Sequence, residues 1–229
     1  MGRRLSLYYQ DDYITLYHGD CLTEHREWLG ADVLVTDPPY GIKLSGEWGT
    51  FRVDGPKKSP KRSIANDNST ACRDEALREW TSRPAVVFGS WRSTRPMGTR
   101  HRLIWHKAGA SPGPANSTFL PNDEEIYILG DGFIKSSPPQ RTVITTKEGR
   151  GTQVRDIGHP TPKPIDLMET LIGRCPPGVI ADPFAGSGAT LIAARNLGRK
   201  SIGVELEEKY CEIIAKRLDQ QVIDFGSLV

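Results

Sequence analysis

The chain has 229 residues and a formal net charge of only +2 at pH 7, which suits one domain (residues 1–229) with a central sheet covered by helices on both faces. Its four cysteines are widely spaced and include no Cys-x-x-Cys pair, which argues against a metal site and a disulfide framework and favours a reducing interior. No apolar run approaches the roughly 20 residues of a membrane span, and the N-terminal residues have no signal-peptide core, so we expect a soluble, cytoplasmic protein.

The first predicted strands lead to a proline-rich turn. Residues 13–17 alternate as in a short strand and run into Gly19-Asp20-Cys21, and residues 31–36 form an apolar, β-branched run typical of a buried parallel strand. That run ends at the tetrad Asp37-Pro38-Pro39-Tyr40, where each proline fixes φ and removes a backbone donor. A carboxylate beside a rigid carbonyl can accept the two hydrogens of an amino group, and the Tyr40 ring could stack on a flat base.

Residues 41–69 are predicted to be a basic loop, because they lose hydrophobic periodicity and are rich in Gly, Pro, Ser and Lys. The loop directly follows the tetrad, so its charge would lie at the mouth of the site and could neutralise backbone phosphates. A solvated surface is the alternative. The candidate phosphate contacts are Arg52, Lys57, Lys58, Lys61 and Arg62.

The middle of the chain alternates between helix and strand patterns. Residues 73–80 carry the apolar spacing of a helix, and buried strands are predicted at 85–88, 102–105 and 125–129. Residues 130–158 have little helical pattern and one β-like run, at 141–146.

The C-terminal third contains a glycine-rich loop between a strand and a helix. A buried strand at 178–181 leads into Asp182-Pro183-Phe184-Ala185-Gly186-Ser187-Gly188, and residues 187–197 continue as a helix. Leu191 stands where a dinucleotide-binding motif has its third glycine, which argues against a nicotinamide cofactor. A strand at 201–205 then ends in Glu205, which could accept both hydroxyls of a ribose, and a last helix is predicted at 208–220.

Taken together, the tetrad and the glycine-rich loop resemble the amino DNA methyltransferases, which transfer a methyl group from S-adenosylmethionine to adenine N6 or cytosine N4. The tetrad precedes the loop, and in that family this order marks the group called β. The resemblance implies a doubly wound, mainly parallel, seven-stranded Rossmann-like sheet with helices on both faces.

The resemblance also implies which residues bind S-adenosylmethionine. Asp20 would contact the adenine end of the cofactor, although it could instead simply cap a helix starting near Leu22. Lys163, in the segment His159-Pro160-Thr161-Pro162-Lys163-Pro164, would pair with the carboxylate of the cofactor. The full set of candidates is Asp20, Cys21, Lys163, Asp182, Phe184, Ala185, Gly186, Ser187, Gly188, Thr190 and Glu205.

The chemistry implied is methylation of an exocyclic amine on a base flipped out of duplex DNA, with Asp37, Pro38, Pro39 and Tyr40 as catalytic residues. Adenine N6 is favoured over cytosine N4 because the first residue of the tetrad is Asp, where the cytosine enzymes more often have Ser. Methylation of cytosine C5 is disfavoured, since it needs a thiolate, commonly in Pro-Cys, and this chain has Cys175-Pro176 outside the tetrad. Other readings are an RNA or protein-glutamine methyltransferase and a catalytically inactive DNA-binding module.

In the family, the region corresponding to residues 130–158 selects the DNA sequence. It is short here, so the recognition site could be short, loosely specified or completed by a second subunit, and Arg141 and Lys147 are candidate DNA contacts. The expected partner is double-stranded DNA, which would associate the protein with the nucleoid. A homodimer and a separately acting restriction endonuclease are left open.

Overall fold

A computed structural model defines the fold over residues 6–42, 65, 67–108, 119, 122–146, 157, 159 and 161–226, with side chains through residue 220. The strands in this part of the chain are β1 (Ser6–Gln10), β2 (Ile14–His18), β3 (Val33–Thr36), β4 (Ala85–Gly89), β5 (Thr99–Lys107), β6 (Asp123–Leu129), β7 (Val143–Thr146), β8 (Ile180–Asp182) and β9 (Ser201–Glu205). The helices are α1 (Ala71–Trp80), α2 (Ile165–Ile172), α3 (Ala189–Asn196) and α4 (Glu208–Gly226), and a 3₁₀ helix spans Glu27–Gly30.

All of these strands belong to one sheet, in the order β1-β2-β9-β8-β3-β4-β6-β5-β7. The pairs β1/β2, β4/β6 and β5/β6 are antiparallel, and the other neighbours are parallel. The chain leaves β3 for β4 on one side and leaves β8 for β9 on the other. The topological switch point therefore lies between β3 and β8, at the edge where ligands bind in open α/β sheets.

The central strands are buried on both faces, as their continuous apolar sequences predict. Every residue of β3 and of β4 is buried. Val33 and Val35 pack with α2 and α3 on one face of the sheet, and Leu34 packs on the other face with Trp28 and Trp80. The two indole rings stack with centroids 5.8 Å apart. Helices thus cover both faces, which confirms the predicted doubly wound fold.

The sheet has nine strands in the described residues, two more than the seven expected. The extra length comes from its edges, where β1 pairs antiparallel with β2 and the short strand β7 pairs parallel with β5. Of these two strands, β1 had no predicted counterpart, whereas β7 corresponds to the β-like run predicted at 141–146. The core arrangement is the one predicted.

The helix expected near Leu22 is instead one turn followed by the 3₁₀ helix. The amides of Glu24 and His25 both donate to the Asp20 carbonyl. The indole N–H of Trp28 donates to the Cys21 carbonyl across 2.9 Å, which takes the acceptor that a continuing helix would use. Burying Trp28 completely therefore ends the helix after its first turn.

None of the helices in the described part of the chain combines the length and the apolar composition that crossing a lipid bilayer requires.

Candidate functional site

Two segments that are far apart in the sequence meet at the switch point. β3 and β8 are parallel neighbours, with Leu34 opposite Ala181. At their carboxyl ends the Thr36 hydroxyl donates to Asp182 Oδ1 across 2.7 Å. The tetrad and the glycine-rich loop therefore leave the sheet side by side, which is the arrangement that joint action requires.

The tetrad is fixed where it leaves the sheet. Pro38 is buried, and Asp37, Pro39 and Tyr40 are partly buried. The Ser93 hydroxyl, from the loop after β4, donates to the Tyr40 carbonyl. No protein donor among the described residues contacts the Pro38 carbonyl, so this oxygen is an available acceptor beside the Asp37 carboxylate.

Both carboxylate oxygens of Asp37 have partners. The Tyr40 hydroxyl lies 2.6 Å from Oδ1 and the Lys163 ammonium 2.5 Å from Oδ2. Burial raises the pKa of the Asp37 carboxyl, and the Lys163 charge opposes that rise. Burial likewise raises the pKa of Tyr40 well above its usual value, so the phenol is neutral.

Lys163 lies against the Asp37-Pro38-Pro39-Tyr40 tetrad, whereas the resemblance implied that it would face the cofactor's carboxylate. Its ammonium is buried and contacts Asp37 and, at 3.2 Å, Glu124 Oε2. Burial alone would lower the pKa of Lys163, but these two carboxylates raise it above its usual value. Its charge is therefore already compensated within the protein, and a contact with the cofactor stays a prediction.

Glu124 and Lys107 also belong to the site, and the sequence analysis did not identify them. Glu124 Oε2 lies 3.0 Å from the Tyr40 hydroxyl, and the Lys107 ammonium donates to Glu124 Oε1. The side chains of Lys107 and Glu124 are only 3% and 12% exposed. The sequence signal was weak, since both charged residues lie just beyond the ends of the predicted apolar strands at 102–105 and 125–129.

The loop after β8 is braced by Asp182. Its Oδ1 atom accepts the Thr36 hydroxyl and the Phe184 amide, and Thr190 supplies a further side-chain hydrogen bond. Burial raises the pKa of Asp182 to about 6. This residue therefore shapes the loop through contacts within the protein.

Glycine conformation and close packing define the same loop. Gly186 and Gly188 have φ values of +53° and +78°, which other residues adopt at a cost. A Cβ at position 186 would lie 3.2 Å from the His159 ring, so the space above the glycine is narrow. Ala185, Ser187 and Thr190 are buried and Phe184 is partly buried.

His159 also packs edge-on against Tyr210. Burial lowers the pKa of His159 to about 3, so its ring is neutral.

Glu205 ends β9 and holds the start of the glycine turn. Its Oε2 atom accepts the Gly186 amide and its Oε1 atom the Glu207 amide, each across 2.8 Å. Burial raises the pKa of Glu205 to about 7. Each oxygen keeps a second lone pair, so the carboxylate can still accept ligand hydroxyls.

Asp20 and Cys21 follow β2 at the same edge, where the Gly19 amide donates to the Glu205 carbonyl across 3.0 Å. Asp20 Oδ1 accepts the amides of Leu22 and Thr23, so the capping role considered for Asp20 is present. A cofactor contact by Asp20 stays a prediction. Cys21 is buried and its carbonyl holds Trp28.

The predicted DNA contacts mostly lie outside the described residues. This holds for Arg52, Lys57, Lys58, Lys61, Arg62 and Lys147. Arg141 is described and exposed, two residues before β7, where it is accessible to a partner. The expected β-like run in residues 130–158 is confirmed as β7.

The residues at this edge suit S-adenosylmethionine. Glu205 is a desolvated acceptor at a strand end, the geometry suited to ribose hydroxyls. The amino end of α3 adds backbone donors beside the narrow space above Gly186. When bound, the cofactor supplies an electrophilic methyl group to a neighbouring nucleophile.

Fold and site together define a Rossmann-like, S-adenosylmethionine-dependent methyltransferase. A DNA methylase family model matches residues 57–216, and the chain belongs to that family of amino DNA methyltransferases. The matched part contains Glu124, Lys163 and the glycine-rich loop, and the tetrad precedes it. Membership supports DNA as the substrate, in preference to RNA or protein glutamine, and confirms the predicted cofactor.

Individual relatives agree. The type II methyltransferase M.ScaI of Streptomyces caespitosus is 40% identical, over 93% of this chain and 84% of the relative. The structure of the M1.HpyAVI–SAM complex has a TM-score of 0.60 at 20% identity, covering 89% of this chain and 99% of that one. The cytosine-N4-specific PvuII DNA methyltransferase has a TM-score of 0.65 at 15% identity, covering 93% and 88%. The two structural likenesses support the fold.

Proposed function

We propose that this DNA methyltransferase acts on the N6 amine of an adenine flipped out of duplex DNA, and that Asp37 and the Pro38 carbonyl hold this amine. The proposal is carried by one observation, the contact of Thr36 with Asp182 that places the tetrad beside the glycine-rich loop. A base amine seated on the tetrad would lie at the sheet edge where the cofactor's methyl group is delivered.

The tetrad would act by positioning the amine. An exocyclic amine is a poor nucleophile because its lone pair is delocalised into the ring. Hydrogen bonds from its two N–H groups to the Asp37 carboxylate and the Pro38 carbonyl favour a pyramidal nitrogen with a directed lone pair. Fixed acceptors in a partly buried site act strongly, since they need no reorganisation during the reaction.

The ring of Tyr40 would stack on the flipped base. It packs against the core cluster that contains Phe88 and Trp105, so its orientation is restrained. The Lys163 ammonium lies 5.8 Å from the centroid of the Tyr40 ring, which adds a cation–π contact. A stacking aromatic at the end of the tetrad suits a base that has left the duplex.

Adenine N6 is favoured by the carboxylate at the first position of the tetrad, as the sequence resemblance implies. Methylation of cytosine C5 would require a thiolate, and the cysteines are poorly suited to supply one. Burial raises the pKa of Cys72 to about 11 and of both Cys175 and Cys211 to about 12, and it raises the pKa of Cys21 as well. A homodimer and a separately acting restriction endonuclease stay predictions from the sequence.

Product analysis tests the proposal. Unmethylated duplex DNA is incubated with the protein and S-adenosylmethionine and then digested to nucleosides, which are identified by mass spectrometry. We expect N6-methyladenine. A product consisting only of N4-methylcytosine would overturn the assignment of adenine but would agree with an amine held by Asp37 and the Pro38 carbonyl. A product of 5-methylcytosine would overturn both the assignment of the base and the proposed role of the tetrad.

A further inference from the structure

The hydrogen bond proposed between Asp37 and the target amine competes with hydrogen bonds that Asp37 already accepts within the protein. Its Oδ1 atom already accepts the Tyr40 hydroxyl and its Oδ2 atom the Lys163 ammonium. An amine that approaches Asp37 must therefore either use the remaining lone pair of an oxygen that already has a donor or take the place of that donor. Both donors have a second acceptor within reach, but moving the Lys163 ammonium away would separate a buried ion pair, whereas redirecting the neutral Tyr40 hydroxyl would not.

That second acceptor is Glu124, at the start of β6. Its Oε2 atom lies 3.0 Å from the Tyr40 hydroxyl, against 2.6 Å from the hydroxyl to Asp37 Oδ1. A phenol carries one hydrogen, so it can donate to only one of the two carboxylates at a time. Moving that hydrogen between them requires a rotation of the O–H bond and little movement of the ring.

We propose that Glu124 is a positioning residue that accepts the Tyr40 hydroxyl when the target amine binds, which leaves Asp37 Oδ1 for the amine. Glu124 acts through Tyr40 and does not touch the base. The proposal rests on the proposed function, because it takes the occupant of Asp37 to be a base amine.

The charges around this exchange are balanced before and after it. Glu124 is paired with Lys107 through Oε1 and with Lys163 through Oε2, and Lys163 also pairs with Asp37. Two buried cations thus accompany two carboxylates, and redirecting one hydroxyl moves no charge. Because hydrogen bonds to desolvated charged groups are strong, an acceptor for the displaced hydroxyl matters most in such a site.

Substitution of Glu124 by Gln tests the proposal, with methyl transfer to unmethylated duplex DNA as the readout. Glu124→Gln keeps the size of the side chain and removes its charge, and we expect kcat to fall about 10- to 100-fold. The KM for S-adenosylmethionine should stay within about twofold, since Glu124 lies outside the glycine-rich loop. Glu124→Asp keeps the charge that pairs with Lys107 but shortens the side chain, and it serves as a second variant should the Gln variant unfold.

Glu125→Gln is the matched control. Glu125 is a buried carboxylate on the same strand, but successive strand residues face opposite sides of the sheet, and its partners are Arg102 and Tyr127. We expect its kcat to stay within about threefold of that of the wild type. A loss in this control as large as in Glu124→Gln would overturn the proposal.

The Tyr40→Phe background separates positioning from a merely structural role. Without the hydroxyl nothing needs to move from Asp37, so the loss caused by each Glu124 variant should shrink at least about threefold. Losses of equal size in both backgrounds would overturn the inference and leave the proposed function intact. A wild-type protein that methylates no base amine in the same assay would overturn the proposed function, and the inference with it.

Discussion

Thr36 and Asp182 are joined by a buried hydrogen bond of 2.7 Å, although 146 positions separate them in the chain. Each residue ends a central strand, and each is followed at once by one half of the site. The bond therefore sets the spacing between the tetrad and the glycine-rich loop. Asp182 also braces the glycine-rich loop, because the same oxygen accepts the Phe184 amide.

Replacing Asp37, the carboxylate proposed to hold the amine, should separate cofactor binding from methyl transfer. We expect Asp37→Ala to bind S-adenosylmethionine as the wild type does and to lose transfer by at least about 100-fold, because a preorganised acceptor for the amine is gone. Calorimetry measures the first quantity and a DNA methylation assay the second. Asp37→Asn, which keeps the shape and offers one acceptor instead of two, should also be severely impaired. Full activity in either variant would end the role proposed for Asp37.

Removing the hydroxyl of Thr36 should destabilise the fold, and more so at high pH. Thr36→Val keeps the side-chain shape and deprives the buried Asp182 carboxyl of a donor, which should cost about 1–3 kcal/mol of unfolding free energy. The pKa of Asp182 is raised to about 6, so the group is charged at pH 8 and mostly protonated at pH 5. Since the hydroxyl stabilises the charged form more, the loss should be larger at pH 8. Thr36→Ser keeps the hydroxyl donor, so its loss of unfolding free energy, measured by urea unfolding, should depend less on pH than the loss in Thr36→Val.

The predictable parts of this molecule are those whose signals are local. The tetrad and the glycine-rich loop can each be recognised from a few consecutive residues. Their proximity in the fold follows from the rule that parallel strands present their carboxyl ends at one edge of the sheet. Continuous apolar runs such as 85–88 can only be buried on both faces.

The parts that escaped prediction depend on distant partners. Glu124 meets Tyr40 from 84 positions away, and Lys163 meets Asp37 from 126. Their sequence neighbourhoods show a charge beside apolar residues but give no partner. The family resemblance implied a cofactor contact for Lys163, whereas the negative charges beside it in the structure come from the protein itself. Likewise, the helix expected near Leu22 was prevented by Trp28, whose burial is a tertiary effect.

Cofactor affinity should weaken below neutral pH. The pKa of Glu205 is raised to about 7, so the carboxylate that would accept the ribose hydroxyls becomes protonated as the pH falls through that value. If only the carboxylate form binds well, affinity at pH 6 should be about tenfold lower than at pH 8.5, since only about a tenth of the protein is in that form. Titration calorimetry at both pH values measures the difference.

Glu205→Gln should bind the cofactor weakly and with little dependence on pH, which separates this carboxylate from other titrating groups. Affinity in the wild type that is constant from pH 6 to pH 8.5 would contradict the contact proposed for Glu205. The same raised pKa has a consequence for the fold, because the folded protein retains a proton that the unfolded chain releases above its usual value near 4.5. This group therefore contributes less stability as the pH rises from about 4.5 to about 7.

The glycine at the start of α3 should resist substitution more than a glycine with a similar backbone elsewhere. A Cβ at Gly188, with φ of +78°, would lie 2.9 Å from Ile214 Cγ1, so Gly188→Ala adds a steric conflict to the backbone cost. Gly198 has φ of +66° and nothing within 4 Å of the corresponding position, so Gly198→Ala bears the backbone cost alone, about 1–2 kcal/mol. We expect Gly188→Ala to lose about 1–3 kcal/mol more than Gly198→Ala in urea unfolding, the usual cost of overpacking. Equal losses would mean that Ile214 moves aside freely, and the contact between α4 and the glycine-rich loop would then be looser than the packing indicates.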